Sequence, residues 1–191
     1  MKKKSIAVVL ALVLLVCCAV GGVLAWLTDT TGPVKNTFTV GNVDITLEET
    51  DATVAEDGSA AKEFKMVPGQ TITKDPKVTV LGGSEACWLF VEVEESETLD
   101  SYITYTVDNT VWTALPGEEG VYYREVSASD DDQPFYVLTG NQVTVNTGVT
   151  KTMMDDLNKD GAVQPTLTFT AYACQKANFD TAAAAWAEVG A

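Results

Sequence analysis

Apolar residues recur at every second position in short runs along this chain. Turn-forming residues separate those runs about every ten residues, the spacing of a β-sandwich or barrel. Period two marks a strand with one face on a core. The clearest case is Pro165 to Ala173 (PTLTFTAYA), which puts Leu167, Phe169, Ala171 and Ala173 on one face. Ala86 to Val93 (ACWLFVEV) is apolar on both faces at its start, as a central strand would be, and turns one-sided at Glu92 and Glu94.

The remaining runs are shorter. Thr37 to Leu47 places Phe38 and Val40 on one face, then Val43, Ile45 and Leu47 after a change of phase at Gly41 that signals a bulge. Thr71 to Val80 follows the Pro68-Gly69 turn, and Pro76 marks its neighbourhood as an edge or an irregular stretch. Tyr102 to Val107 and Thr110 to Leu115 flank Asp108-Asn109, which reads as a hairpin turn. Val121 to Val126, Phe135 to Leu138 and Gln142 to Val145 are further strands. Two short helices are predicted, near Thr150 to Leu157 and from Asp180 to Glu188, the second pinned by Phe179 and Trp186. Glu49 to Lys62 is polar and unpatterned, and reads as a loop.

The first residues bear on destination. Lys2, Lys3 and Lys4 precede an apolar run from Ile6 to Val20, then Gly21-Gly22 and Val23-Leu24-Ala25. This is the layout of a secretory signal, with small side chains at Val23 and Ala25 placing the cut between Ala25 and Trp26. The rival is an uncut anchor, since Ile6 to Leu27 is long enough to span a bilayer of roughly 30 Å. The domain plan is then 1–25 signal peptide, 26–42 N-terminal segment and 43–191 a single β domain. The C-terminal Ala187 to Ala191 has no sorting motif, apolar span or basic tail, so release from the cell is expected.

After such a cut, nine bases face 27 acids, a net charge of −18. That balance repels nucleic acid and anionic membrane surfaces. The chain has no histidine, which removes the usual general base, the Ser-His and Cys-His pairs, and the two-histidine zinc site. Catalysis by paired carboxylates remains open, but no pair is marked out, and no enzyme is expected. Cys87 and Cys174 remain beyond the cut. An oxidising compartment permits a disulfide between them, and two buried free thiols are the other reading. Asp156-Leu157-Asn158-Lys159-Asp160-Gly161 matches the first half of a calcium loop, with Asp156, Asn158 and Asp160 as ligands. The twelfth position is Leu167 where a bidentate Glu belongs. Asp130, Asp131 and Asp132 read as a solvated loop. No other cofactor is expected.

Several blocks resemble the TasA/camelysin family. The junction Gly21-Gly22…Ala25-Trp26-Leu27-Thr28-Asp29 looks like those cut by the SipW-type signal peptidase. Lys35 to Val43 (KNTFTVGNV), Pro68 to Pro76 (PGQTITKDP) and Leu167 to Ala173 (LTFTAYA) are similar to strands of that family, in the same order. The resemblance implies an all-β, jelly-roll-like antiparallel sandwich, secreted by a Gram-positive bacterium and assembled into biofilm-matrix fibres. In such fibres the N-terminal segment of one subunit adds as a donor strand to the next, so the partners are the chain itself and related matrix subunits. The donor here would be Trp26 to Val40, with Trp26, Leu27, Val34, Phe38 and Val40 as interface residues and the membrane contacted only before cleavage. Camelysin relatives also imply a metalloprotease, and this chain departs from that expectation, having no histidine for zinc and no HExxH helix. The alternative is a monomeric secreted adhesion module that binds a glycan or protein through Trp112, Tyr122, Tyr123 and Tyr136.

Overall fold

Strand-forming runs fill much of the sequence between Ile45 and Gln175. A computed structural model, which describes residues 42–56 and 60–190, folds them into antiparallel sheets. These residues belong to one unit, Val40–Ala191. In chain order the strands are β1 (Ile45–Glu48), β2 (Thr53–Val54), β3 (Ala60–Ala61), β4 (Thr71–Thr73), β5 (Lys77–Val80) and β6 (Cys87–Glu95). They continue as β7 (Ile103–Thr104), β8 (Thr113–Ala114), β9 (Val121–Val126), β10 (Gln133–Tyr136), β11 (Gln142–Val145) and β12 (Leu167–Gln175). Three helices accompany them: α1 (Leu99–Tyr102), α2 (Lys151–Leu157) and α3 (Ala182–Val189). The expectations for the leader, the cut at Ala25–Trp26, the donor residues Trp26, Leu27, Val34, Phe38 and Val40, and the bulge at Gly41 lie outside the described residues.

The sheet orders are β12-β6-β9-β8, β1-β5-β10, β4-β11-β7 and the small β2-β3 hairpin. β6 is central because both of its faces are apolar. Cys87, Leu89, Val91 and Val93 enter one core together with Val78 and Val80 of β5, Val126 of β9, Val143 of β11 and Trp112. Trp88 and Phe90 enter a second cluster with Leu115, Val121 and helix α3. Antiparallel pairing runs the full length of β12 and β6, from Leu167 opposite Glu95 to Gln175 opposite Cys87. Where the chain enters β9, only glycine fits. Gly120 has φ +75°, and a Cβ there would lie 2.5 Å from the Val93 carbonyl oxygen.

Both expected helices form, each behind a threonine cap. Thr150 Oγ1 accepts from the Met153 amide at 3.2 Å and Thr181 Oγ1 from the Ala184 amide at 3.2 Å. Trp186 of α3 packs its ring 5.3 Å from Phe90 and 5.1 Å from Tyr172, and Phe179 joins the same cluster.

Three readings of the sequence need correction. Thr71 to Val80 is two strands in two sheets, divided at Lys74-Asp75-Pro76. Pro76, with no N–H to give a ladder, sits fully buried at the crossover, and its carbonyl accepts from Val137 at 3.0 Å. Asp108 does make a turn, its carboxylate accepting from the Thr110 amide at 2.9 Å. The flanking runs do not form a hairpin, because β7 pairs with β11 and β8 pairs with β9. The loop from Glu49 to Lys62 contains the β2-β3 hairpin. α1 is a third helix beyond the two expected. Among the described residues no helix is long and apolar enough to cross a membrane.

Candidate functional site

The outer edge of β12 is the feature most open to a partner. Among the described residues β12 pairs on one side only, with β6. It is nine residues long and reads Leu-Thr-Phe-Thr-Ala-Tyr-Ala-Cys-Gln, with no charge, proline or glycine. Eight of its residues are half-buried and Thr168 is exposed. Edges of this kind invite further pairing, and proteins usually blunt them by shortness, charge or proline. The other edges are blunted in these ways. β7 and β8 are two residues long and β4 is three. β10 carries Pro134. β1 has four residues and ends in Glu48, whose carboxylate lies 3.2 Å from Lys77 Nζ.

Side chains fix β12 from below and above. Phe169 lies 5.3 Å from Lys74 Nζ, which is also 5.5 Å from the Phe64 ring. Lys74 is 9% exposed and contacts Glu49 Oε2 at 2.8 Å, while Glu49 Oε1 is buried without a partner among the described residues. The Asp75 carboxylate accepts from the Thr50 hydroxyl at 2.6 Å. The end of β1 is thereby clasped to the crossover next to β12. A buried pair of this sort fixes geometry more than it stabilises. On the other face Tyr172 donates to Glu92 Oε2 at 3.0 Å. Burial and then the Glu92 carboxylate hold the Tyr172 phenol above its ordinary pKa.

Between the end of β6, β7 and β9 lies a groove of about 490 Å³. Glu95, Asp100, Ile103, Tyr105, Val107 and Tyr122 line it. The Tyr105 hydroxyl donates to the Glu95 carboxylate. Burial, and then that hydrogen bond, push the Tyr105 phenol well above its ordinary range, so it stays protonated and donating at any physiological pH.

The cysteines do not form the disulfide allowed by one reading of the sequence. Cys87 and Cys174 are free thiols on opposite faces of the β6-β12 ladder. Cys87 faces Gln175 in register and Cys174 faces Trp88, so no bond can form without moving the backbone. Burial, and then Cys174 nearby, push the Cys87 thiol up to about 11. Burial and then Glu188 raise that of Cys174. Both thiols are therefore protonated and poorly reactive at neutral pH.

The calcium-loop residues are used otherwise. Asp156 lies in the last turn of α2 and contacts Lys159 Nζ at 2.5 Å. Asn158 caps that helix, and its amide donates to the Met154 carbonyl at 3.1 Å. Asp160 lies in the exposed turn that follows. Among the described residues no three His, Cys, Asp or Glu side chains are grouped to hold a metal ion. Of the aromatics considered for recognition, Trp112 is 2% exposed and donates to the Tyr136 carbonyl at 2.9 Å, so it is a core residue. Tyr122 and Tyr123 are half-buried on opposite faces of β9, and only Tyr136 is exposed. The Lys74–Glu49 pair and the Tyr105–Glu95 pair had no signal in the sequence, because each joins segments that only the fold brings together. Comparison of the chain with protein-family models, with curated proteins and with solved structures gives no match.

Proposed function

We propose that this chain is a secreted structural subunit that polymerises into extracellular matrix fibres by strand addition. Part of the segment from Trp26 to Val40 of one copy pairs with the edge of β12 that is open among the described residues of the next. The sheets are read here as layers of a jelly-roll-like sandwich, a reading supported by one core drawing side chains from three of them. The observation that carries the proposal is the nine-residue, uncharged edge of β12.

Magnitudes show what such a contact needs. An added strand gains a net 0.5–1.5 kcal/mol per backbone hydrogen bond, roughly. Over nine residues that is of the same order as the association cost of roughly 4–15 kcal/mol. Side-chain burial must decide the outcome, and a large apolar side chain contributes about 1.5–3 kcal/mol. Trp26, Leu27, Val34, Phe38 and Val40 supply such groups. The segment is long enough, since an extended chain covers about 3.3 Å per residue. A head-to-tail contact does not close on itself, so it yields filaments. The strong negative charge opposes non-specific clumping.

Electron microscopy of two chains tests this. The chain starting at Trp26 forms filaments, and the chain starting at Asn42 stays monomeric with unchanged circular dichroism. Filaments from both would remove the donor role of the leading segment.

A further inference from the structure

We propose that Met66, Met153 and Met154 form one site of reversible oxidation by peroxides, and that their oxidation releases helix α2 from the sheet it packs on. Three of the chain's four methionines meet here, and the fourth is Met1. Their side chains, with Leu157, Ile72 and Ile103, pack against a small buried cluster of Tyr102, Val145 and Val149. Neither of the two larger clusters holds a methionine. Each of the three is half-buried, so a reagent as small as hydrogen peroxide reaches it without opening the main core.

Helix α2 depends on these contacts. Its seven residues are too few for a helix to persist alone in water, where about 12–15 are needed. Lys151, Thr152, Asp155 and Asp156 are exposed, so Met153, Met154 and Leu157 are its whole apolar face. The exposed Lys151–Asp155 pair at 2.6 Å adds little. The Tyr102 hydroxyl donates to the Met153 carbonyl at 3.2 Å, a bond that exists only while the helix is docked. In the reaction each thioether sulfur takes one oxygen atom from hydrogen peroxide as the O–O bond breaks. The sulfur is oxidised by two electrons and the peroxide leaves as water. The resulting sulfoxide is polar, and keeping it against Val145 and Val149 without a donor is unfavourable. α2 thereby loses two of its three anchors, and the cluster loses Met66.

The release has a boundary. Gln164 Nε2 donates to the Leu157 carbonyl at 2.7 Å, so the loop after α2 loosens with it. Thr166 is tied to Ser96 twice, its amide donating to Ser96 Oγ at 2.9 Å and its carbonyl accepting from the Ser96 amide at 3.0 Å. The change therefore stops short of β12.

The test uses the folded chain starting at Trp26, treated with hydrogen peroxide until free methionine in the same solution is fully converted. Peptide mapping by mass spectrometry finds one added oxygen on each of Met66, Met153 and Met154. Amide exchange within Lys151 to Leu157 then rises by at least roughly tenfold, while β6 and β12 keep their protection. Methionine sulfoxide reductases restore slow exchange. The combined variant Met66→Leu, Met153→Leu and Met154→Leu fills similar volume and keeps α2 protected through the same treatment, which separates thioether chemistry from damage to cysteine or tryptophan. Methionines left unoxidised, unchanged exchange in α2 after oxidation, a rise spread over the whole chain, or a leucine variant that opens on treatment would each overturn the inference. It stands apart from strand addition, which none of these outcomes decides.

Discussion

Placing two lysines on β12 will abolish filaments while leaving the subunit folded. The variant Thr168→Lys with Thr170→Lys puts charge on a strand that has none. In the register of the sheet, Thr168 stands opposite Glu94 and Thr170 opposite Glu92. Each new lysine therefore gains a cross-strand acid, a pairing worth about 0.2–1 kcal/mol, and the monomer keeps its melting temperature. An incoming strand meets two ammonium groups that it would have to desolvate, the device by which natural edges resist pairing. The expected result is a rise in critical concentration of at least roughly a hundredfold, since about 2.7 kcal/mol of lost contact suffices for that. Light scattering measures the assembly, and circular dichroism checks the fold. A variant that assembles like the parent would move the acceptor away from β12.

Trp112→Ala will cost about 3–5 kcal/mol of stability, the range for emptying a large aromatic from a core. The indole is 2% exposed, stands edge-on to Phe135 at 6.5 Å and donates to the Tyr136 carbonyl. Its removal leaves a cavity in the main cluster and orphans that carbonyl. For a domain of this size the melting temperature should fall by roughly 10 °C, at about 2–4 °C per kcal/mol. Thermal unfolding decides between two roles for this residue. A tryptophan presented for glycan recognition would be lost with little change in stability.

The main strands were legible because their pattern is local. Alternation identified β12, and the double-faced run identified β6 as central, as the Trp186 side of α3 later explains. Helices α2 and α3 were legible for the same reason, whereas their threonine caps appear only in the fold. What could not be read depends on partners distant in sequence. Thr71 to Val80 is one alternating run, yet its halves pair with β11 and with β1 and β10. The runs around Asp108-Asn109 satisfy a hairpin pattern but find other strands. The strand expected from Phe135 to Leu138 runs from Gln133 to Tyr136, because Gln133 and Pro134 pair with Val80 and Thr79. Cys87 and Cys174 illustrate the limit for a site. Their segments are neighbouring strands, but a one-residue offset in register puts the sulfurs on opposite faces. That the β12 edge is open among the described residues is likewise a property of sheet order, not of its own residues.

Amide hydrogen exchange across Leu167 to Gln175 tests the central claim most directly. The β12 N–H groups that face away from β6 should exchange readily in dilute monomer and become protected in filaments, while those bonded to β6 are protected in both. Exchange along β12 that is the same before and after assembly, or an edge already protected in isolated monomer, would contradict it.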